Sequence, residues 1–202
     1  MIALGSLKYY ARRPITAVHA VGYKLYELTH PDEPWISQGA IRFCEGSLNR
    51  NMAGFEWGSG RSTAWFAERL GSLTSIEHEL GWFKIVQENL NSRGIRNVTY
   101  RLVPLNHPPH EPNRPVYNPI PDYVAAIEEV PDGTLDFAVV DGHYRQACIL
   151  AAIPKLKPAG LFLVDDTDWL PLSEWGIPTD WDLVHQSRKV MSETTIWRKP
   201  KV

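Results

Sequence analysis

The sequence predicts an α/β protein built on a mostly parallel sheet of seven strands, with helices on both faces and an antiparallel hairpin at the C-terminus. Three observations support this prediction. From Ala53 onwards short apolar segments alternate with helical patterns, a glycine follows each of the first two helices, and a short connection joins the last two strands. Strands separated by helices pair in parallel through right-handed crossovers, whereas strands joined by a short turn pair antiparallel.

A chain of 202 residues with 44% hydrophobic content is long enough for one α/β domain. We expect a helical lead-in over residues 1–50 and a main domain over residues 51–202. In the lead-in, Ile15–Leu28 carries apolar residues at helical spacing, and Ser37 has the residue type of an N-cap for a second helix.

In the main domain, predicted strands alternate with predicted helices. The expected strands of the parallel part are Ala53–Trp57, Leu73–Glu77, Val98–Leu102, Leu135–Asp141 and Leu161–Asp165. The expected helices are Ser62–Leu70, Leu80–Ser92 and Arg145–Leu156, and the hairpin pairs Trp181–His185 with Thr194–Arg198. Ligands of such sheets bind at the carboxyl ends of the strands, so we expect functional residues there.

A proline-rich insertion, residues 104–121, separates the third strand from the fourth. It holds seven prolines in eighteen residues, a composition that excludes a helix or an inner strand. Two interpretations remain open at this point. The insertion is either a surface excursion or a wall over the substrate that carries His107, His110 and Tyr117.

The composition of the chain argues against nucleic-acid and membrane partners. The formal net charge is −2 and the sequence pI is about 6.4, without a long Lys/Arg block, so we expect no nucleic-acid partner. The apolar runs are too short to span a membrane, and the N-terminus lacks the apolar region of a signal peptide. Cys44 and Cys148 are isolated, which argues against a disulfide framework or a zinc site. We therefore expect a soluble, cytoplasmic protein, and the oligomeric state is not predicted.

The stretch GFEWGSGRST raises the question of what the first strand–helix turn binds. Gly58 and Gly60 lie in that turn, where the absence of a Cβ lets the backbone bend tightly and approach a ligand. The free N–H groups at the start of the next helix favour a carboxylate or a phosphate. Two cofactors fit this pattern, a dinucleotide and S-adenosylmethionine.

Glu56 and Thr63 distinguish the two cofactors. A carboxylate two residues before the first glycine would repel a pyrophosphate, whereas it could accept a hydrogen bond from an ammonium group, directly or through water. The dinucleotide fingerprint also has Gly or Ala where this chain has the β-branched Thr63. Both residues favour S-adenosylmethionine and leave an NAD-dependent oxidoreductase as the weaker alternative.

Four segments then carry a family resemblance. EWGSGRST, SIEHE, LDFAVVDGHYR and IPKLKPAGLFLVDD resemble, in order and spacing, the motifs of class I S-adenosylmethionine-dependent methyltransferases, and in particular a small bacterial branch. The similarity spans roughly Pro34 to Asp166. It implies a Rossmann-like methyltransferase fold, and it says little about the acceptor.

The resemblance implies a set of cofactor contacts. Gly58, Ser59 and Gly60 would form the loop under the methionine moiety, and Glu77 would bind the ribose diol, since a carboxylate accepts two hydrogen bonds. The full set of implied cofactor residues is Glu56, Gly58, Ser59, Gly60, Ser62, Glu77, His78 and Asp141, with Ser62 on the carboxylate and Glu56 near the amino group. The acid that many family members carry after the third strand is missing from RLVPLN, so the adenine contact stays open.

The segment after the fourth strand supplies the candidate base. Methyl transfer from a sulfonium requires alignment of the acceptor and, for a hydroxyl, removal of its proton. His143 is the expected base because its ordinary pKa is near neutrality, and Asp141 would orient it or act directly. Alternatively, Asp141 caps the following helix and His143 is a loop residue.

Asp165 and Asp166 follow the fifth strand and, with Asp141, resemble the magnesium site of the catechol O-methyltransferase type. Three carboxylates suit a hard cation. The chain departs from that pattern by having Asp166 where an asparagine is usual, and Arg145 could neutralise the acids instead. We expect no metal, with magnesium at these three residues as the alternative.

The expected function is methyl transfer from S-adenosylmethionine to a small-molecule acceptor, at oxygen. The principal alternative is a module that binds S-adenosylmethionine or S-adenosylhomocysteine without turnover.

Overall fold

The structure, a computed structural model, describes residues 22–26, 28–107, 113–190 and 192–201. Residues 22–26 and 28–29 are helical, as predicted for the end of Ile15–Leu28. The rest of that predicted helix lies outside the described residues, as does His110 of the proline-rich insertion. No helix among the described residues is both long and apolar enough to span a membrane.

Seven strands and five labelled helices position the site within the described part of the chain. The strands are β1 Ala53–Trp57, β2 Ser72–Glu77, β3 Val98–Leu102, β4 Leu135–Val140, β5 Leu156–Val164, β6 Asp182–Lys189 and β7 Ser192–Arg198. The helices are α1 Gln38–Ser47, α2 Arg61–Ala67, α3 Leu80–Ser92, α4 Asp122–Ala125 and α5 Arg145–Ala152.

The strands form one sheet in the order β3-β2-β1-β4-β5-β7-β6. The pairs among β1 to β5 are all parallel, whereas β7 pairs antiparallel with both β5 and β6. The predicted mostly parallel sheet with an antiparallel hairpin is therefore confirmed. The chain reverses its direction across the sheet between β3 and β4, which places the carboxyl ends of β1 and β4 side by side, where open α/β sheets bind ligands.

Both faces of the sheet are covered by helices because its strands alternate two apolar sets. In β4, Ala138 and Val140 point into a core shared with α4 and α5, while Phe137 and Val139 point into a core shared with α1 and α2. This period of two is what a strand buried on both faces requires.

Helix α1 begins at the predicted N-cap. The Ser37 hydroxyl accepts a hydrogen bond from the Ala40 N–H at 3.3 Å, and the Ser37 N–H donates to Thr194 Oγ1 at 3.0 Å. Ile41 and Cys44 are buried in the same cluster as residues of β5 and β7. The helix of the lead-in is thus part of the core of the main sheet.

The predicted helix Arg145–Leu156 is too long. Helix α5 ends at Ala152, Ile153–Lys155 forms a 3₁₀ turn, and Leu156 already begins β5. Pro154 explains the early end, because proline lacks the N–H that continues the hydrogen bonding of a helix.

Candidate active site

A cavity of about 570 Å³ lies over the carboxyl ends of the central strands. This volume is in the range of small-molecule sites. It is lined by Gly58, Ser59, Glu77, His78, Glu79, Trp82, Leu105, Asn113, Asp141, Gly142, His143, Tyr144, Arg145 and Trp169. Of the eight predicted cofactor residues, five line it, while Glu56, Gly60 and Ser62 do not.

The loop after β1 lies directly against the end of β4. Gly58 has a φ of +88°, and a Cβ at this position would lie 2.6 Å from the carbonyl oxygen of Asp141. Its N–H donates to the carbonyl of Ile76 at 3.0 Å. Glycine is therefore required here for two reasons, the left-handed backbone and the close approach of two loops.

Glu56 lies below this loop and is fully buried. Its carboxylate accepts hydrogen bonds from the hydroxyls of Ser62 at 2.6 Å, Thr63 at 2.7 Å and Ser75 at 2.6 Å. Burial raises the pKa of Glu56, and these three hydrogen bonds only partly offset the increase. In this arrangement Glu56 and Ser62 join α2 to β1 and β2, so their direct contact with a ligand remains a prediction.

Glu77 ends β2 and lines the cavity. Its Oε1 accepts the backbone N–H groups of His78 at 2.8 Å and Glu79 at 2.9 Å, and its Oε2 accepts the Ser59 hydroxyl at 2.6 Å. Burial alone would raise the pKa of Glu77, but the hydrogen bonds from His78, Ser59 and these amides outweigh it and lower the pKa. The carboxylate is therefore held ionised and fixed in orientation.

Two histidines lie side by side in the cavity. The rings of His78 and His143 are 4.4 Å apart between centroids in an edge-to-face arrangement, and His78 Nδ1 lies 3.0 Å from Glu77 Oε1. Partial burial, followed by the charges of His78 and Arg145, lowers the pKa of His143. His143 is therefore neutral at neutral pH, as a general base must be.

The three predicted acids converge, and two cations contact them. Carboxylate oxygens of Asp141, Asp165 and Asp166 lie within 4.8 Å of one another. Arg145 Nη2 lies 3.0 Å from both Asp141 and Asp166, and Lys189 Nζ lies 2.9 Å from Asp165. The predicted neutralisation by Arg145 is thus present, and the β6–β7 hairpin adds a second cation.

The alternative interpretation is wrong for Asp141, which does not cap the next helix, whereas His143 is an exposed loop residue as that alternative states. Helix α5 begins after Tyr144, and the Asp141 carboxylate accepts from the Arg145 guanidinium instead. Burial, followed by the charge of Asp165, raises the pKa of Asp141, while Arg145 and Lys189 oppose the increase. Tyr144 and Asp166, on either side of this cluster, have left-handed φ values of 52° and 56°, a strained backbone state that is concentrated at functional sites.

The proline-rich insertion contributes to the wall of the cavity through other residues than predicted. Leu105 and Asn113 line the cavity, whereas Tyr117 is buried against Tyr144 with ring centroids 5.0 Å apart. His107 stacks edge-to-face on Tyr117. His107 and Tyr117 therefore pack behind the lining residue Tyr144 and do not line the cavity themselves.

Two tryptophans line the cavity; sequence reasoning missed Trp82, whereas it placed Trp169 in a loop that could contact the acceptor. Trp82 lies in the first turn of α3 and donates its indole N–H to the carbonyl of Ser59 at 2.8 Å. Trp169 lies in a 3₁₀ turn after β5 and is 60% exposed. The sequence offered one signal for Trp169, since it follows the acidic segment at a strand end.

Solved structures share this architecture. An rRNA methylase from Streptococcus thermophilus is similar with a TM-score of 0.61 and 13% identity, over 83% of this chain and 99% of that chain. A SAM-dependent methyltransferase from Aquifex aeolicus is similar with a TM-score of 0.52 and 13% identity, over 86% of this chain and 97% of that chain. An RNA methyltransferase from Salinibacter ruber in complex with S-adenosyl-L-homocysteine is similar with a TM-score of 0.53 and 15% identity. The match covers 84% of this chain and 95% of that chain.

This chain has the class I methyltransferase fold. The strand order and the antiparallel β7 agree with that conclusion, and the predicted Rossmann-like methyltransferase fold is confirmed. No protein-family model and no curated protein matches the chain. At identities of 13–15% the likeness establishes the methyltransferase fold alone, so activity, cofactor and acceptor must be argued from the site.

Proposed function

We propose that this protein transfers a methyl group from S-adenosylmethionine to a hydroxyl of a small molecule. The central observation is that the Gly58 loop, the Glu77 carboxylate and the His143 imidazole line one cavity at the strand ends. A glycine turn, a diol acceptor and a base are the three parts that this reaction needs from the protein.

The chemistry of the lining fits this cofactor better than a dinucleotide. Three carboxylates, Glu77, Glu79 and Asp141, line the cavity, and they favour a positively charged sulfonium over a pyrophosphate. The Oε2 atom of Glu77 is held by the Ser59 hydroxyl, which a ribose hydroxyl can replace with an equivalent hydrogen bond.

When bound, S-adenosylmethionine supplies a methyl group on a sulfur that is already a good leaving group. The residues of this chain then have two tasks. Glu77 and the Gly58 loop would hold and orient the cofactor, and His143 would accept the acceptor's hydroxyl proton at a ring nitrogen as the hydroxyl oxygen takes the methyl group. The charge of Glu77 opposes the burial that lowers the pKa of His143 and so stabilises its protonated form, while Asp141, held by Arg145, lines the same cavity.

The cofactor assignment predicts a weakened complex for Glu77→Gln. A glutamine has only one side-chain oxygen. It cannot both accept the backbone N–H groups of His78 and Glu79 and accept two hydrogen bonds from the ribose diol. The binding free energy of S-adenosylhomocysteine should therefore weaken by about 1–3 kcal/mol. Calorimetry measures this change. Glu79→Gln is the matched control, because the Glu79 oxygens already accept from Gly81 and Trp82 as the N-cap of α3.

Two results would contradict the cofactor assignment. One is an equal loss in the Glu77 and Glu79 variants, which would indicate a general charge effect. The other is binding of NAD by a protein that does not bind S-adenosylhomocysteine, which would favour the oxidoreductase. If the protein binds S-adenosylhomocysteine but methylates no acceptor, the result would favour the alternative of a non-catalytic binding module.

The proposed base predicts the pH dependence of the reaction. Because His143 must be neutral to accept a proton and its pKa is lowered, kcat/KM should stay constant from pH 8 down to about 6.5, the ordinary value for histidine, and decrease only at lower pH. The measurement is a pH–rate profile at saturating cofactor. A decrease that begins above pH 6.5 would assign the base to Asp141 instead, whose pKa is raised.

The names of two similar structures raise RNA as an alternative acceptor. The net charge of −2 and the carboxylates of the cavity oppose it, since RNA binding draws on Lys and Arg contacts to phosphates. Methyl transfer to purified RNA, but to no small hydroxylated compound, would replace the proposed acceptor.

A further inference from the structure

The mouth of the cavity presents one open aromatic face, the indole of Trp169. The Arg145 guanidinium covers the other face, with its Cζ 4.5 Å from the ring centroid. The side chain remains 60% exposed although it lines the cavity. Its free face is therefore available to a ligand that enters above Asp141 and His143.

Arg145 packs on one face of this indole, and two hydrogen bonds hold the turn that carries it. The backbone N–H of Trp169 donates to the carbonyl of Asp166 at 3.2 Å, and the Trp175 indole N–H donates to the carbonyl of Thr167 at 3.1 Å. Beneath the ring, Arg145 is fixed by Asp141 and Asp166. A rigid aromatic face loses little conformational entropy when a ligand stacks on it.

The remainder of the lining is polar or aromatic. Among the described residues that line the cavity, Leu105 is the only aliphatic one. Asn113 offers a planar amide, and the carboxylates of Glu79 and Asp141 keep acceptor lone pairs beside their bonds to the start of α3 and to Arg145. Aromatic faces together with planar amides and carboxylates match a ring that has C–H groups on its face and hydroxyls around its edge.

The charge of the cavity restricts the ligand further. Glu77, Glu79 and Asp141 face a single cation of the lining, Arg145, which already pairs with Asp141. An exposed tryptophan can also stack a nucleobase, but a polyanion or a sugar phosphate would meet these carboxylates.

We propose that the acceptor is a neutral sugar ring that stacks on Trp169 and presents a hydroxyl to His143. This inference rests on the proposed function, because it names the acceptor class of the same site. Trp169 determines acceptor binding and takes no part in cofactor binding.

The test uses the full chain and separates cofactor binding from acceptor binding. Calorimetry with S-adenosylhomocysteine comes first, since failure to bind overturns the proposed function itself. Transfer of labelled methyl from S-adenosylmethionine is then measured on methyl glycosides of neutral hexoses, on catechol and on glucose 1-phosphate. We expect turnover on at least one methyl glycoside, and a lower rate on the other two.

Three variants test the role of the indole. Trp169→Ala should raise the KM for the glycoside by about tenfold, whereas Trp169→Phe, which keeps an aromatic face, should raise it by less than about threefold. Affinity for S-adenosylhomocysteine should stay unchanged in both. Leu183→Ala, at an exposed position of β6 outside the cavity, is the control and should leave both values unchanged.

Several outcomes would overturn the inference while the cofactor still binds. They are methylation of catechol in place of every glycoside, preference for the sugar phosphate, and an unchanged glycoside KM in Trp169→Ala. If no compound turns over, the protein loaded with S-adenosylhomocysteine is applied to an array of neutral glycans. Absence of binding there, or binding that Trp169→Ala retains, overturns the proposal.

Discussion

Replacement of Arg145 by methionine is expected to lower the free energy of unfolding by about 3–5 kcal/mol, the usual cost of removing one partner of a buried ion pair. Arg145 is 6% exposed and contacts Asp141 and Asp166 at 3.0 Å each. Without it, Lys189 beside Asp165 is the one cation that still pairs with the three converging carboxylates among the described residues. Urea denaturation of the variant and the wild type measures the change.

The deficit of this variant should depend on pH. Carboxyls whose pKa is raised in the folded state bind protons more tightly there than in the unfolded chain, so lowering the pH stabilises the folded state. The loss should therefore be smaller at pH 5 than at pH 7. Arg188→Met is the control, because Arg188 pairs with Glu193 at the surface and its removal should cost at most about 1 kcal/mol. Equal losses in the two variants would show that Arg145 is not the stabilising cation of the acidic cluster.

Replacement of His143 by alanine is expected to reduce kcat by about 10²- to 10⁴-fold, the usual contribution of a general base. The imidazole lines the cavity and contacts the His78 ring, and it does not hold the Gly58 loop or Glu77. Affinity for S-adenosylhomocysteine should therefore be unchanged. Steady-state kinetics and calorimetry on the same preparation separate the two effects.

His185→Ala is the matched control for His143. His185 packs on Phe43 and is hydrogen-bonded to Ser187, so its removal should leave turnover close to that of the wild type. Full turnover by His143→Ala would remove this residue as the base. A comparable loss in His78→Ala, with unchanged cofactor affinity, would transfer the role to the neighbouring ring.

The parallel half of the fold could be predicted from the sequence because its signals are local. The predicted bounds of β1, α3 and β3 agree with the structure, since each of these elements is delimited by glycine, asparagine or a change of hydrophobic period. β5 was predicted too short, from Leu161 instead of Leu156. Its first half contains Pro158 and Gly160, which indicate a turn, but it pairs with the C-terminal residues: the Lys199 N–H donates to the Gly160 carbonyl at 3.0 Å.

The site was harder to predict because a strand pattern locates the backbone at the edge of the sheet but does not give the direction of every side chain there. Glu56 alternates with Phe55 and Trp57, which both belong to the core on the side of α4 and α5. A strand with period two therefore directs Glu56 to the opposite face, towards α2, and the sequence contained that information. The positions of Leu105, Asn113 and Trp169 depend on long loops, whose course has no periodic signal.

The buried acid Asp165 is held by a cation and a hydroxyl that follow it in the chain. Lys189 and Thr194 hold the Asp165 carboxylate from the β6–β7 hairpin at 2.9 and 2.5 Å. A nascent chain that has left the ribosome only as far as β5 has an unpaired sheet edge and an acid without its cation. The order of translation therefore leaves Asp165 without this cation until the hairpin emerges.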